Sequence, residues 1–231
     1  MAMSPVLRSM RLLQFGDSVL PVGSFSFSNA LESAVERGVV HDTHTLGEWV
    51  ATATRQSASG DAIGLLHAHR ATCRGDLDGV IAADQAVLER KLNEEARTMS
   101  TRMGRKLGEL GERVVRDARV DGWLAAVRDG RAPGSFAVGL GVVFAALEAD
   151  EMDAFAALQY GVASMILGAA LRIMRVDHMD TQTILFAVDA AAPDAYASIR
   201  DATLDDMSAF APMTDILAAV HASAHVRMFM S

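Results

Sequence analysis

Hydrophobic residues recur at three- and four-residue spacing along most of this chain, with polar and charged residues between them. This spacing is typical of amphipathic helices, and no useful stretch alternates apolar and polar residues as a β-strand does. Glycine, proline and aspartate divide the pattern into predicted helices over residues 5–15, 26–37, 45–58, 60–73, 76–91, 93–116, 121–129, 133–149, 153–174, 180–190, 194–203 and 214–224. The pattern therefore predicts an all-α bundle of about ten helices.

The predicted helix over residues 153–174 is the most apolar segment, and residues 154–171 carry no charged side chain. Its length is close to the roughly 20 residues that cross a bilayer. Its alanine, glycine, serine, glutamine and tyrosine content gives a poor transfer free energy, so we interpret it as a central core helix buried nearly all round and not as a membrane span. We find no linker and expect a single domain over residues 1–231, with flexible ends at residues 1–4 and 226–231.

Four small residues in this helix, Ala157, Gly161, Ser164 and Gly168, fall on one face. Small side chains let another helix approach closely along such a stripe. That helix belongs either to the same core or to a second copy of the chain.

Charge and composition exclude several functions. A net charge of −8 and a pI near 5.3 argue against nucleic-acid binding. The single cysteine, Cys73, permits no internal disulfide and fits a reducing compartment, and Arg8 and Arg11 interrupt the only apolar stretch near the N-terminus, so we expect a cytoplasmic protein. No phosphate-binding loop or nucleophile motif is present, so we expect no cofactor and no catalytic residues.

Histidine pairs are the only candidates for metal ligands. His221 and His225 lie four residues apart on a predicted helix, and imidazole suits nickel. A metal site needs three or more convergent ligands, and no cysteine or carboxylate joins the pair at ligand spacing. We therefore assign no metal site.

Residues 20–32 form the most informative segment, which we call the N-terminal corner. Pro21 and Gly23 favour a sharp turn, and three serines offer helix-capping oxygens. Phe25 and Phe27 either pack under the turn or stand out for another protein. The apolar ending at residues 226–230, which we call the tail, presents the same choice between docking on its own core and docking on a partner.

Four segments together resemble the urease accessory protein F (UreF) family. The N-terminal corner resembles its Leu-Pro-x-Gly-Gly-Phe-Ser-Tyr-Ser run, with Ser24 in place of the second glycine and Phe27 in place of the tyrosine. The other matching segments are residues 94–111, 164–185 and 221–231, the last resembling a His…Arg-x-Phe-x-Ser ending. They occur in the expected order along the whole chain.

The resemblance implies a non-enzymatic scaffold in urease maturation. Such a protein would form a homodimer, bind the accessory protein UreD (also called UreH), recruit the nickel-carrying GTPase UreG to apo-urease, and influence GTP hydrolysis indirectly. On this basis we expect the tail to contact UreD, the N-terminal corner to lie in an interface, and a basic patch to meet an acidic partner. The residues concerned are Arg227 and Phe229 in the tail, Pro21, Gly23, Phe25 and Glu32 in the corner, and Arg102, Arg105 and Lys106 in the basic patch.

Two other function classes remain open on sequence alone. A helical-bundle enzyme could enclose a small ligand in an internal pocket, with buried Tyr160, His178 and Glu148 as pocket groups. An alanine-rich structural oligomer without a link to urease is the third possibility. A bound chromophore or measurable turnover would favour the enzyme, and self-association without binding of UreD would favour the oligomer.

Overall fold

The computed structural model describes residues 4–222 and 228–229, and within these residues it is all-α, without a strand. The helices are α1 (Pro5–Gly16), α2 (Leu31–Glu36), α3 (Thr43–Ser57), α4 (Ile63–Arg74), α5 (Leu77–Glu89), α6 (Glu94–Val114), α7 (Ala118–Arg128), α8 (Phe136–Ala146), α9 (Glu151–Ile173), α10 (His178–Asp189), α11 (Ala192–Ile199) and α12 (Pro212–Ala222). The predicted fold class is confirmed. The flexible ends expected at residues 1–4 and 226–231 lie mostly outside the described residues.

Two predicted boundaries are wrong for local reasons. The second helix begins at Leu31 and not at residue 26, because Asn29 and Ala30 both have left-handed backbone conformations, with φ of 53° and 62°. The predicted break at Gly60 is a π-helical turn, Ala58–Ala62, that joins α3 to α4 without a loop.

Helix α9 joins the two parts of the hydrophobic core. Its first half packs with α1, α4, α8 and α11 around Phe155 and Leu158, and its second half packs with α2, α3, α10 and α12 around Ile166 and Leu167. The helix is long and apolar enough to cross a membrane by length and composition, and 56% of that apolar window is buried inside the fold. The expected central position is therefore observed.

The expectation that this helix is buried nearly all round is wrong. Tyr160 is 40% exposed, and one side of α9 faces an open groove. The helix with buried residues on every side is α8, in which residues 137–145 are all buried. Helix α8 contains only apolar residues and glycine, whereas α9 carries acidic residues in its first turn and lines the groove with small residues.

A buried carboxylate fixes the loop that leads into α8. Asp84 on α5 is fully buried and accepts hydrogen bonds from Trp123 Nε1 at 3.0 Å, from Gly134 N at 3.0 Å and from Ser135 N at 2.8 Å. Burial raises the pKa of the Asp84 carboxyl, and the hydrogen bonds oppose that rise without cancelling it. Asp84 thus ties α5, α7 and the 134–135 loop together.

Candidate partner-binding site

The N-terminal corner places one of its two phenylalanines outside the fold and the other inside. Gly23 has a φ of 89°, in the left-handed region that glycine adopts readily, and it precedes a 3₁₀ turn, Ser24–Ser26. This turn leaves Phe25 73% exposed, whereas Phe27 is buried in the core. Phe27 therefore packs under the turn and Phe25 stands out from it, so each ring follows one of the two alternatives that the sequence left open.

Three titratable side chains from three helices form a buried cluster, which we call the Glu–His–Glu cluster: Glu32 on α2, Glu95 on α6 and His221 on α12. His221 Nε2 lies 2.9 Å from Glu32 Oε2, and its Nδ1 lies 3.2 Å from Glu95 Oε2. His221 is only 1% exposed. Because only a protonated imidazole donates from both ring nitrogens, the cation is the form that bonds both carboxylates at once. The cluster links the N-terminal corner to the last helix.

The tail is held on the same glutamate by two backbone hydrogen bonds. Met228 N donates to Glu32 Oε1 at 2.7 Å, and Phe229 N donates to Glu32 Oε2 at 3.1 Å. The Phe229 residue is 3% exposed, so this part of the tail docks on its own core. Burial alone would raise the pKa of the Glu32 carboxyl, but hydrogen bonds from Met228, His221 and Phe229 outweigh it and lower the pKa below its ordinary value.

Arg172, near the end of α9, lies between the corner and the tail. Its guanidinium carbon is 3.8 Å from the centroid of the Phe25 ring and 4.1 Å from that of the Phe229 ring. Arg172 Nη2 also donates to the backbone oxygen of Phe25 at 2.8 Å. We call these three residues the aromatic–arginine stack. Cation–π contacts of this kind stabilise by about 0.5–2 kcal/mol each.

The guanidinium of Arg172 has no carboxylate partner among the residues that the structure describes. Burial is the one cause of the downward shift in its pKa, which agrees with the absence of a nearby counter-charge. A half-buried cation that no carboxylate in the described part of the chain neutralises, beside an exposed aromatic ring, is well suited to accept a carboxylate from another molecule.

An apolar groove of about 210 Å³ adjoins the stack and includes two of its members in its walls. The small-residue stripe of α9 lines it, and a Cβ added at Gly161 or Gly168 would meet no atom within 4 Å. At Ala157 the stripe is covered by α1, where a Cβ added at Gly16 would lie 3.5 Å from the Cβ of Ala157. The stripe is thus covered by its own chain at Ala157 and open at both glycines.

The other predicted site residues fall into three groups. Pro21 is exposed on the corner. Arg102, Arg105 and Lys106 are exposed on α6, on the side away from the core, and they form no contact with the stack. Arg227 lies outside the described residues, so its proposed contact stays a prediction.

The alternative of an internal pocket fails at the residues expected to line it. Tyr160, His178 and Glu148 are all exposed, on α9, at the start of α10 and after α8, so the prediction that they are buried is wrong. In the part of the chain that the structure describes, no three histidine, cysteine or acidic side chains are arranged to hold a metal ion. His225 lies outside that part.

Sequence reasoning did not identify three of the residues that build this site. It assigns no role to Arg172 or Glu95, and it considers His221 as a metal candidate and as the start of the family-like C-terminal segment, without a role in the cluster. The one available signal is that Arg172 is the first charged residue after the long uncharged stretch of α9.

Comparison with known proteins gives consistent results over nearly the whole chain. A family model described as UreF matches residues 40–189. Urease accessory protein UreF 2 of Brucella abortus (strain 2308) is 54% identical over 222 residues, which is 96% of this chain and 91% of that protein. Urease accessory protein UreF of Yersinia pseudotuberculosis serotype I (strain IP32953) is 47% identical over 220 residues, 95% of this chain and 96% of that protein.

Proposed function

Because the chain belongs to the UreF family of urease accessory proteins, we propose that it acts as a non-enzymatic scaffold during nickel insertion into apo-urease. In this role it bridges UreD (UreH) and the GTPase UreG in the cytoplasm. It modulates GTPase-dependent assembly of the metallocentre by placing UreG against its partners, and takes no direct part in GTP hydrolysis.

The observation that carries this proposal is the joining of the N-terminal corner and the tail at one surface. Glu32 binds two tail amides, and Arg172 stacks on a ring from each segment. The surface combines an exposed aromatic ring with an arginine that has no counter-ion among the described residues, and aromatic and arginine side chains dominate binding energy at protein interfaces. A partner that supplies a carboxylate to Arg172 and covers Phe25 would satisfy both features.

We assign the contact with UreD to the tail and the stack, with Pro21 and Gly23 shaping the corner. Val226 to Ser231, including Arg227, then belong to the contact surface. UreG joins the assembled complex and not the isolated chain. In support of this assignment, the backbone bonds of Met228 and Phe229 to Glu32 hold the tail beside the corner and Arg172, and although Phe229 docks on its own core, Met228 is exposed.

A homodimer is part of the same proposal. The open stretch of the α9 stripe at Gly161 and Gly168 leaves room for a helix of a second copy. Gly161→Leu projects into open space in one chain, so it is expected to leave the fold intact and to reduce the dimer fraction measured by light scattering. An unchanged dimer fraction would place the contact elsewhere.

Co-expression with UreD and UreG tests the scaffold role. Arg172→Ala is expected to reduce co-purification of UreD at least about tenfold, whereas Phe210→Ala, at a ring 88% exposed on another part of the surface, is expected to have no effect. Deletion of residues 226–231 is expected to act like Arg172→Ala with helicity retained in circular dichroism.

Two results would refute the proposal. If the unaltered chain recovers neither UreD nor UreG, it is not a scaffold for them. If Arg172→Ala and the tail deletion both retain UreD, the contact lies away from the stack. Substrate turnover or a bound chromophore in the purified chain would favour the enzyme alternative.

A further inference from the structure

Helix α6 is pressed against its neighbours along a face made of glycines. A Cβ added at Gly104 would overlap the carbonyl oxygen of Gly134 in the loop before α8. A Cβ at Gly108 would lie 2.8 Å from Leu124 Cδ1, and one at Gly111 would lie 2.9 Å from Val120 Cγ1, both on α7. Because contacts this short leave no room for a side chain, the α6 backbone packs directly on the loop before α8 at Gly104 and on side chains of α7 at Gly108 and Gly111, and this packing sets the position and rotation of α6.

The opposite face of α6 is basic. At 3.6 residues per turn, Arg102, Arg105, Lys106 and Arg113 fall within an arc of about 100°, on the side of the helix away from the three glycines. All four side chains are exposed. Over the 11 residues from first to last they extend about 17 Å along the helix axis. We call these four residues the α6 basic face.

Intramolecular ion pairs leave most of this charge uncompensated. Lys106 Nζ lies 3.5 Å from Glu109 Oε2, an exposed carboxylate on the same face, whereas Glu95, on the same side of α6 about two turns earlier, is buried against His221. Glu112, on the flank, is bound by Arg128 at 2.7 and 2.8 Å. Among the described residues, Arg102, Arg105 and Arg113 have no carboxylate within ion-pair distance. The chain as a whole carries a net charge of −8, so this cationic strip is a local exception.

We propose that the α6 basic face is a second docking surface, which takes an acidic helix of a partner protein. A helix that carries glutamate or aspartate at positions i, i+3, i+4 and i+11 repeats its charges at the same axial spacing as these four cations, so the two helices can pair along their length. The strip is one helix wide, about 10 Å, which suits a helix better than a flat lipid surface. The net negative charge of the remaining surface disfavours a nucleic acid that extends beyond the strip.

This surface lies on a different element from the aromatic–arginine stack, and its occupation does not require the tail. A partner can therefore hold the chain at two separate places. Because fixed rotation of α6 presents all four cations on one side without reorganisation, binding should depend on the register of the partner charges and not only on their number.

Two synthetic peptides of about 20 residues with identical composition test this proposal on the full chain. One carries four glutamates on a single helical face at i, i+3, i+4 and i+11, and the other distributes the same four glutamates around the helix. Fluorescence anisotropy at low salt is expected to give at least about tenfold tighter binding for the first peptide, decreasing as salt is raised.

Charge reversal locates the binding surface. The triple variant Arg102→Glu, Arg105→Glu and Arg113→Glu is expected to weaken binding of the aligned peptide at least about tenfold. A matched triple reversal of exposed Arg37, Arg55 and Arg175, on other elements, changes the net charge equally and is expected to weaken it far less. Circular dichroism checks that both variants remain helical.

Three outcomes would overturn the proposal: equal affinity for the two peptides, equal loss in both triple variants, or binding of duplex DNA or anionic vesicles at least as tight as that of the aligned peptide. The stack is unaltered in these variants. If the peptide experiments fail while the unaltered chain still co-purifies with UreD, only the proposal for the α6 basic face is refuted. The expected loss of UreD binding in Arg172→Ala does not depend on that outcome.

Discussion

Replacing Glu32 with glutamine is expected to release the tail while the helical core remains folded. The carboxylate accepts three hydrogen bonds: Oε1 from Met228 N, and Oε2 from Phe229 N and His221 Nε2. A glutamine of the same shape has one oxygen and one NH₂ group. Whichever way the amide is oriented, at least one tail N–H then faces a donor and loses its acceptor.

The size of the effect follows from the bonds lost. A hydrogen bond to a charged acceptor contributes about 1.5–3 kcal/mol, and the bonds that remain become neutral ones of about 0.5–1.5 kcal/mol. Docking of the tail should therefore weaken by about 2–5 kcal/mol. Burial of Phe229 contributes about 1.5–3 kcal/mol and its contact with Arg172 about 0.5–2 kcal/mol. The hydrogen-bond free energy lost is about as large as the stabilisation that Phe229 still provides, so the undocked tail should become substantially populated.

Hydrogen–deuterium exchange of the C-terminal peptide measures this directly. Since about 1.4 kcal/mol corresponds to a factor of ten, exchange of the Met228 and Phe229 amides should accelerate at least about tenfold in Glu32→Gln. Glu36→Gln, at an exposed position on the same helix, should leave exchange unchanged. Circular dichroism should show unaltered helicity in both variants.

Wild-type exchange rates at these amides in Glu32→Gln would refute the reasoning, because they would show that the carboxylate charge does not hold the tail. Loss of helicity throughout the chain would also contradict it, since the Glu–His–Glu cluster would then be required for the core itself. Only selective release of the tail agrees with the geometry.

Three further outcomes are expected. The pKa of Glu32 in the folded chain lies below its ordinary value of 4.5, so the stabilisation that its carboxylate gives is fully present above pH 4.5 and is lost as the pH falls through the folded pKa. Hydrogen–deuterium exchange of the tail, measured at each pH, should therefore differ less between wild type and Glu32→Gln as the solution is acidified. Asp84→Asn turns one acceptor into a donor facing buried N–H groups, so urea denaturation should show a loss of about 2–4 kcal/mol, and an unchanged midpoint would contradict the role of this carboxylate. Gly104→Ala places a methyl group against the Gly134 carbonyl and should lower stability by about 1–3 kcal/mol in the same assay, whereas Gly161→Ala, with open space around its Cβ, should not.

Sequence reasoning predicted the fold class and most helices because their apolar spacing is a local property. It failed where backbone conformation left no local signal. Ala30 adopts a left-handed conformation that costs alanine about 1 kcal/mol or more. The neighbouring burial of Ala30 and Leu31 in the second part of the core offsets this cost, and such tertiary compensation cannot be read from a helical pattern.

The candidate site was only half predictable for a related reason. The corner and the tail each contain unusual residues, so each is recognisable separately. The hydrogen bond from Met228 to Glu32 joins positions 196 residues apart, and no periodic pattern carries that information. His221 and Arg172 acquire their roles only through the segments that the fold brings beside them.

Helix α6 takes part in both proposed surfaces, and its packing sets the geometry of each. Glu95, in the first turn, belongs to the Glu–His–Glu cluster, while the α6 basic face begins two turns later on the same helix. The glycine contacts fix the rotation of the whole helix, because a helix of this length turns as one rigid body. Any change that rotates α6 would therefore move Glu95 away from His221 and turn the arginines out of register together. A looser contact at the three glycines would therefore leave both proposed surfaces less well defined.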